Sequence, residues 1–414
     1  VGVRNVDAVG AEPGSPVAPV GGSAAIVGGR ALPWIAAGIV LGALLLVATN
    51  GTWWSRAQAR LPWMLQPIFH DWHVVRAGLE TYAAGADPLA MTGHPYNYPR
   101  AVLQASWFGG QYLSPVLAGL GLAAAGLGAL AFALGRSGWL TAALAAGLMF
   151  SPPVLLLFER GNLDALVLFQ VVTGLFLLVR GGKPWIQAGG VLLLLAASLV
   201  KLYPAVLLAA GVLYWSGHRR RWHLAALVGF LALALWQQDE LALIFRKTGR
   251  GVETSYGWAV AGSRLGVDHT IAPEMVGVVL RLSNGISFAV LAVAALIGWR
   301  LRTRLGGWSM DPLDRGLFWA GAVLYVATFA IGSNWSYRLV FLLLCLPGLV
   351  AAVRGRGWKL WGGLGLVLLV GTMLVPFEST PTTFYLVQAT EWLLAGWLTV
   401  GAVAVLADRQ AARY

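Results

Sequence analysis

Apolar stretches of roughly 20 residues recur from end to end of this 414-residue chain, and no other feature restricts its fold so severely. Wound as an α-helix, a stretch of that length matches the ~30 Å hydrocarbon core of a bilayer, where every backbone polar group has to be satisfied within the segment. A soluble fold fails on composition. Hydrophobic residues make up 58% of the chain and charged residues 11%, whereas soluble domains carry about 25% charged residues. Because burial saturates with size, a water-soluble chain of this length has too little interior to hide so much apolar surface. The sequence therefore predicts an all-α fold, a polytopic transmembrane bundle.

Helices are expected near 32–49, 112–134, 138–153, 164–180, 186–200, 202–217, 222–236, 285–301, 316–332, 338–353, 358–375 and 391–407, about twelve spans. The apolar stretch from Trp185 to Trp215 is interrupted only by Lys201 and Pro204 and reads better as two short antiparallel spans than as one kinked helix. Residues 31–408 form the membrane domain, with larger hydrophilic connections at 50–111 and 237–284 that are expected to carry amphipathic helices. Residues 1–30, rich in Gly, Ala, Val and Pro without a helical period, read as a disordered cytoplasmic tail, and 409–414 as a second one. No signal-peptide pattern opens the chain, so the first apolar run is expected to be an uncleaved anchor.

The net charge of +12 admits a nucleic-acid reading until the charges are placed on this topology. With both ends cytoplasmic, one side holds 17 Lys and Arg against 5 Asp and Glu, and the other holds 12 of each. The whole excess lies where the positive-inside bias puts it, and no nucleic-acid partner is needed. The single cysteine, Cys345, falls inside an apolar run, which excludes a disulfide framework and a thiolate metal site.

The opposite, extracytoplasmic ends of the spans carry the side chains that are expensive to place near a membrane. Asp71 lies within Phe69-His70-Asp71-Trp72-His73 in the first large connection. Glu159-Arg160-Gly161-Asn162 with Asp164 joins two spans, Lys201 and Pro204 mark the next outer turn, and Ser333 to Arg338 enters a later span. Ionisable groups at such positions are functional candidates by default. Each has a plain alternative. Arg338 could simply snorkel to headgroups, Asp71 could cap a helix running through Glu80, and most of the 20 tryptophans read as interfacial anchors. His70 and His73, three apart, could share a helix face, but two ligands without a third make a weak metal signal, and no metal is expected.

Taken together, a carboxylate beside several cations suits an anionic lipid headgroup and an acceptor hydroxyl. The carboxylate can take a proton from the attacking hydroxyl. Arg160, Lys201 and Arg338 can hold a phosphate and stabilise the charge it gains on leaving. No Gly-rich nucleotide loop is visible, so a lipid-linked sugar phosphate is the natural donor, and no cofactor is expected. His70, His73 and Tyr98, with Asn162, Asp164, Tyr203 and Asn334, are the candidate substrate-binding residues. Trp72, Val75 and Tyr82 would give the first connection an apolar face against the membrane interface.

At these positions the chain resembles the polytopic GT-C glycosyltransferases, most closely glycosyltransferase family 87, over most of residues 50–350. Asp71 falls where that family places its catalytic aspartate. Gly85, Asp87 and Pro88, followed by Tyr96-Asn97-Tyr98-Pro99, are similar to its "G-x-D-P" and tyrosine-proline pattern. Gly161-Asn162 with Asp164 resembles its "G-N-x-D", Lys201 to Pro204 its "K-x-x-P", and Asn334 to Arg338 its late aromatic-Arg segment. Leu89 departs from the family, which often has tyrosine there, and puts sugar or acceptor identity in question. The resemblance implies inverting, metal-independent transfer, with mannose favoured, from a polyprenyl-phosphate sugar to a lipid or glycan acceptor at the outer face of a bacterial inner membrane. Partners would then be those two substrates and membrane lipids. The rival from another class is a transporter or flippase, which would want polar groups at mid-span and repeated halves, and neither is evident in the sequence.

Overall fold

The computed structural model describes residues 23–60, 67–91, 96–248, 254–305, 310–355, 358–375 and 380–411. Eighteen α-helices run in the order α1 (Ser23–Thr49), α2 (Gly51–Arg60), α3 (His70–Ala83), α4 (Arg100–Leu103), α5 (Pro115–Gly135), α6 (Trp139–Leu148), α7 (Pro152–Glu159), α8 (Asp164–Arg180), α9 (Pro184–Val200), α10 (Ala205–Tyr214), α11 (Gly217–Trp236), α12 (Gln238–Lys247), α13 (Val260–Val267), α14 (Pro273–Leu305), α15 (Pro312–Ile331), α16 (Leu346–Arg354), α17 (Lys359–Leu374) and α18 (Pro381–Ala411). The all-α expectation holds, and all twelve expected segments contain helix. The expected count of about twelve spans is not confirmed among the described residues, where α9, α10 and α17 are shorter apolar helices. Six helices are long and apolar enough to cross a membrane, or up to eight if each of two bent pairs is one span. In those pairs α6 turns into α7 by 61° and α11 into α12 by 78°.

Local chemistry explains most of the breaks. Pro152 and Pro153 restart the chain after Phe150-Ser151, so α6 and α7 cannot be one straight rod. Lys201 leaves α9 in extended backbone and Pro204 precedes α10, which makes the 185–215 stretch two helices. Helix starts recur at proline: α5, α7, α9, α14, α15 and α18 all have it as their first residue, where its missing N–H would be unbonded in any case. Of the expected tail at 1–30, residues 1–22 lie outside those described, and α1 begins at Ser23.

The main core centres on α15 and the segment after it. Residues Ser336–Cys345 form a 3₁₀ helix that continues into α16, and Leu339 to Cys345 are all buried. A 3₁₀ helix rises ~2.0 Å per residue against 1.5 Å in an α-helix, so these 19 residues reach roughly 33 Å. The tighter winding is what lets so short a segment traverse the bundle. Around it, α1 packs on α5 and α6, α8 lies between α5 and α9, and α14 pairs with α18.

A second, smaller core lies under the first connection. Phe69, Trp72, Val75, Leu79, Tyr96, Tyr98 and Leu103 pack together, with Leu163 and Ile244 reaching in from α8's approach and α12. Trp72, Val75 and Tyr82 were expected to face the membrane interface. Trp72 and Val75 are instead buried in this core and Tyr82 packs partly against it, because α3 has a folded neighbour to cover its apolar stripe. The 237–284 connection carries helices, as expected. It carries α12, α13, the start of α14 and a strand, β1 (Ser255–Tyr256), that pairs antiparallel with β2 (Asn334–Trp335).

Candidate functional site

Two helix ends meet head to tail at the first connection. Helix α3 begins with N–H groups that have no intrahelical acceptor, and α7 ends with carbonyls that have no donor. Each supplies the other: Phe69 N–H donates to Glu159 O at 2.8 Å and Asp71 N–H to Arg160 O at 2.9 Å. The junction also places charge favourably, an Asp in the first turn of α3 and an Arg just past the end of α7, each complementing its helix dipole. Gly161, at φ +59°, makes the turn that lets the chain leave α7 beside Phe69, itself left-handed at φ +60°.

From these anchors the side chains interlock. Arg160 grips Asp71 with two parallel bonds, Nε to Oδ2 at 2.9 Å and Nη2 to Oδ1 at 2.6 Å. Asn162 donates from Nδ2 to the same Oδ2. Its Oδ1 accepts the backbone N–H of Asp164 at 2.9 Å, satisfying one of the free donors at the start of α8. Asp164 is fully buried and carries two cations, Arg338 Nε at 3.2 Å and Lys201 Nζ at 3.8 Å. Arg338 also donates from Nη1 to Asn334 Oδ1. One asparagine thus joins two acid–base clusters drawn from α3, α7, α8, the α9–α10 turn and the strand-to-3₁₀ segment.

Aromatic faces enclose the cations. Lys201 Nζ lies 4.3 Å from the centre of the Tyr98 ring, Arg160 is 4.9 Å from Trp335, and Arg338 is 4.9 Å from Tyr203. Trp335 and Tyr337 stack on each other, and Tyr337 touches both arginines. Such faces stabilise a desolvated cation by electrostatic attraction to the ring quadrupole. Burial pulls the Lys201 ammonium below the ordinary lysine range, with Asp164 opposing and Arg338 reinforcing the shift. For Arg160 burial also acts against the charge, but the Asp71 carboxylate outweighs it and the guanidinium is held above its usual range.

The structure brings together Asp71, Arg160, Asn162, Asp164, Lys201, Arg338, Asn334, Tyr98 and Tyr203 of the sequence candidates. His70 opens α3 half-buried beside them, whereas His73 is exposed. Among the described residues His73 makes no ion pair or hydrogen bond to the cluster, and its imidazole is lowered by partial burial, then by His70 and Arg76. Asp71 does not cap α3, whose N-cap is Phe69. Glu80 pairs with Arg76 on the exposed side of α3, and Asp87 accepts the Leu89 N–H in a turn. Trp335 and Tyr337 were missed, although their alternation with Asn334, Ser336 and Arg338 was visible in the sequence. Among the described residues no group of three His, Cys, Asp or Glu could hold a metal ion.

The electrostatic balance is specific. Two carboxylates and three cations sum to one positive charge. Asp71 Oδ2 accepts two bonds and Oδ1 one, which leaves an acceptor position on Oδ1, since a carboxylate offers about four. Arg160 spends two of its roughly five N–H donors on Asp71. The cluster therefore has capacity for one further O–H donor and for one anion. The far end of the bundle, where α8 finishes and α15 begins, holds a separate Arg180–Asp311 pair. No family model, no curated protein and no solved structure matches this chain.

Proposed function

We propose that this chain is a polytopic membrane glycosyltransferase that moves a sugar, mannose favoured, from a polyprenyl-phosphate donor to a hydroxyl of a lipid or glycan acceptor. The observation that carries the reading is the linked cluster: a carboxylate with one open acceptor position, tied through Asn162 to a group whose excess charge is one positive unit. A sugar phosphodiester brings one negative charge, and its leaving group gains a second.

In this reading the acceptor hydroxyl donates its hydrogen bond to Oδ1 of Asp71. Its oxygen attacks the anomeric carbon on the side opposite the phosphate, and its proton passes to Asp71. The anomeric C–O bond breaks with its electron pair going to the phosphate, whose growing charge Lys201 and Arg338, with the remaining N–H groups of Arg160, stabilise. Arg160 has a second duty, fixing the orientation of Asp71. Tyr98, Tyr203, Asn334 and His70 border the sugar, and His73, outside the cluster, is left without a part. No metal or cofactor is assigned a part, and membrane lipids surround the spans. The twelve-span GT-C-like topology, the bacterial inner membrane and the extracytoplasmic orientation of the site belong to the same proposal, supported by the charge asymmetry.

The test is purified protein supplied with a panel of polyprenyl-phospho-sugars and with membrane-lipid and glycan acceptors. Release of polyprenyl phosphate coupled to glycosylated product supports the reading. Movement of intact donor lipid between leaflets without any glycosidic product would favour a flippase.

A further inference from the structure

At the end of the bundle opposite the ionic cluster, three elements enclose a cavity of about 320 Å³. Ser137 lines it from the turn after α5, Asp311 and Asp314 from the start of α15, and Arg354 from the end of α16. Pro347 and Val350, both buried, supply an apolar wall. Small-molecule sites run from roughly 300 to 1,000 Å³, so the space suits a compact ligand. Asp311 and Arg354 are exposed, which places the mouth at the surface. From Arg338 to Arg354 the 3₁₀ helix and α16 span roughly 30 Å, at ~2.0 and ~1.5 Å per residue. The cavity is therefore separate from the donor site.

The charges on its walls are unequally engaged. Asp311 is committed: Oδ1 accepts the Leu313 N–H at 2.8 Å, and Oδ2 pairs with Arg180. Asp314 accepts only the Ser137 hydroxyl among the described residues, Oγ to Oδ1 at 2.7 Å, which leaves its second oxygen open. Arg354 has no hydrogen bond or ion pair among the described residues, and its Nη1 lies 3.4 Å from where a Cβ on Gly138 would stand. Arg136, beside Ser137, turns away over the Phe132 ring at 5.8 Å. Asp314 in the first turn of α15 and Arg354 in the last turn of α16 each complement a helix dipole. The dipoles account for the two signs. They do not account for a carboxylate oxygen and a whole guanidinium lining one cavity without partners.

We propose that this cavity binds an ammonium–phosphate zwitterion, the headgroup of an aminophospholipid, with the phosphate on Arg354 and the ammonium between Asp314 and Ser137. The guanidinium fork can give two parallel N–H bonds to a phosphate. A primary ammonium has three N–H donors, enough for the open Asp314 oxygen and the lone pairs of Ser137 Oγ. A choline headgroup has no N–H to offer, and a phosphatidylglycerol headgroup has no cation for Asp314. The depth agrees with a lipid. Of the candidate spans, 115–135 ends, 312–331 begins and 336–354 ends at the walls of the cavity, which sets it at headgroup level. Trp139, next to Gly138, is exposed there, as interfacial tryptophans are.

The experiment strips the purified whole chain of lipid in detergent. It is then titrated with short-chain phosphatidylethanolamine, phosphatidylcholine and phosphatidylglycerol, and with glycerophosphoethanolamine, and bound ligand is counted by native mass spectrometry. Wild type should bind phosphatidylethanolamine about tenfold more tightly than phosphatidylcholine, the difference made by one charge-assisted contact. Arg354→Gln, which breaks no contact among the described residues and so should keep the lipid-free Tm, should lose about tenfold in phosphatidylethanolamine affinity. Asp314→Asn keeps an oxygen for Ser137 and should bind phosphatidylethanolamine no better than phosphatidylcholine. Glycerophosphoethanolamine binding more weakly than the lipid supports a bilayer source, and equal binding supports the same charge pairing with a soluble phosphodiester. Equal affinity of wild type for the ethanolamine and choline lipids, tightest binding of phosphatidylglycerol, or unchanged affinity in Arg354→Gln would overturn the proposal.

Discussion

Exchanging Asp71 for Asn removes the group on which the chemistry stands, and the structure says what else it removes. The carboxylate shares a bidentate pair with Arg160 in which the side chains are 9% and 11% exposed. Leaving a buried charge without its partner destabilises by about 3–5 kcal/mol, and an amide nitrogen facing a guanidinium sets donor against donor. A fall in turnover after Asp71→Asn therefore mixes two causes, lost stability and lost proton acceptance. Arg160→Gln separates them, because it breaks the same pair from the other side and keeps the carboxylate. Both variants are expected to lose comparable thermal stability in detergent. Asp71→Asn should reduce turnover at saturating donor by at least ~10², the lower end for removed acid–base catalysis. Arg160→Gln should instead raise the donor KM by roughly tenfold, the loss of one charge-assisted contact, with a much smaller change in turnover. Steady-state kinetics at a temperature where both variants stay folded decide the matter. Equal turnover in the two variants would show that Asp71 acts only as a structural partner of Arg160.

Further tests follow from other parts of the site. Lys201 must be protonated to attract phosphate, and burial lowers its pKa, so its charge is present at low pH and lost as pH rises through a value below the ordinary lysine range. The donor KM of wild type should climb in that alkaline range, and Lys201→Arg should flatten the profile; an identical climb in Lys201→Arg would remove Lys201 from donor binding. Gly257→Ala should abolish folded yield or donor binding through its clash with Gly332, while Gly85→Ala, with a left-handed φ of +79° but open space around it, should cost only about 1–2 kcal/mol in a denaturation measurement. Cysteine replacing the exposed Tyr112 should label from outside intact spheroplasts and cysteine at exposed Arg220 should not; the reverse pattern would invert the orientation and return a cytoplasmic donor to consideration.

The sequence determined the solvent of this protein and the inventory of its site. Apolar runs of membrane length are a local property, written in consecutive residues, and they yielded the all-α bundle and each helical segment. The cluster residues were legible for a related reason. Arg160, Asp164, Lys201 and Arg338 are charges at the ends of apolar runs, where a charge is costly enough to be conspicuous without coordinates, whereas Asp71 lies in the first large connection and was singled out by its position in the resemblance. Which charge meets which was not legible, because pairing depends on separations of 89 residues for Arg160 with Asp71 and 174 for Arg338 with Asp164. Only the packed fold could turn Arg160 from a free phosphate ligand into the partner of Asp71, or join two clusters through Asn162. The count of spans depended on tertiary structure as well, since hydropathy cannot distinguish a straight helix from α6 and α7 bent by 61°. The two-residue β1–β2 pairing is the extreme case. Ser255 and Tyr256 carry no strand signal of their own, and they pair with Asn334 and Trp335 because α18 and α15 hold them against that segment.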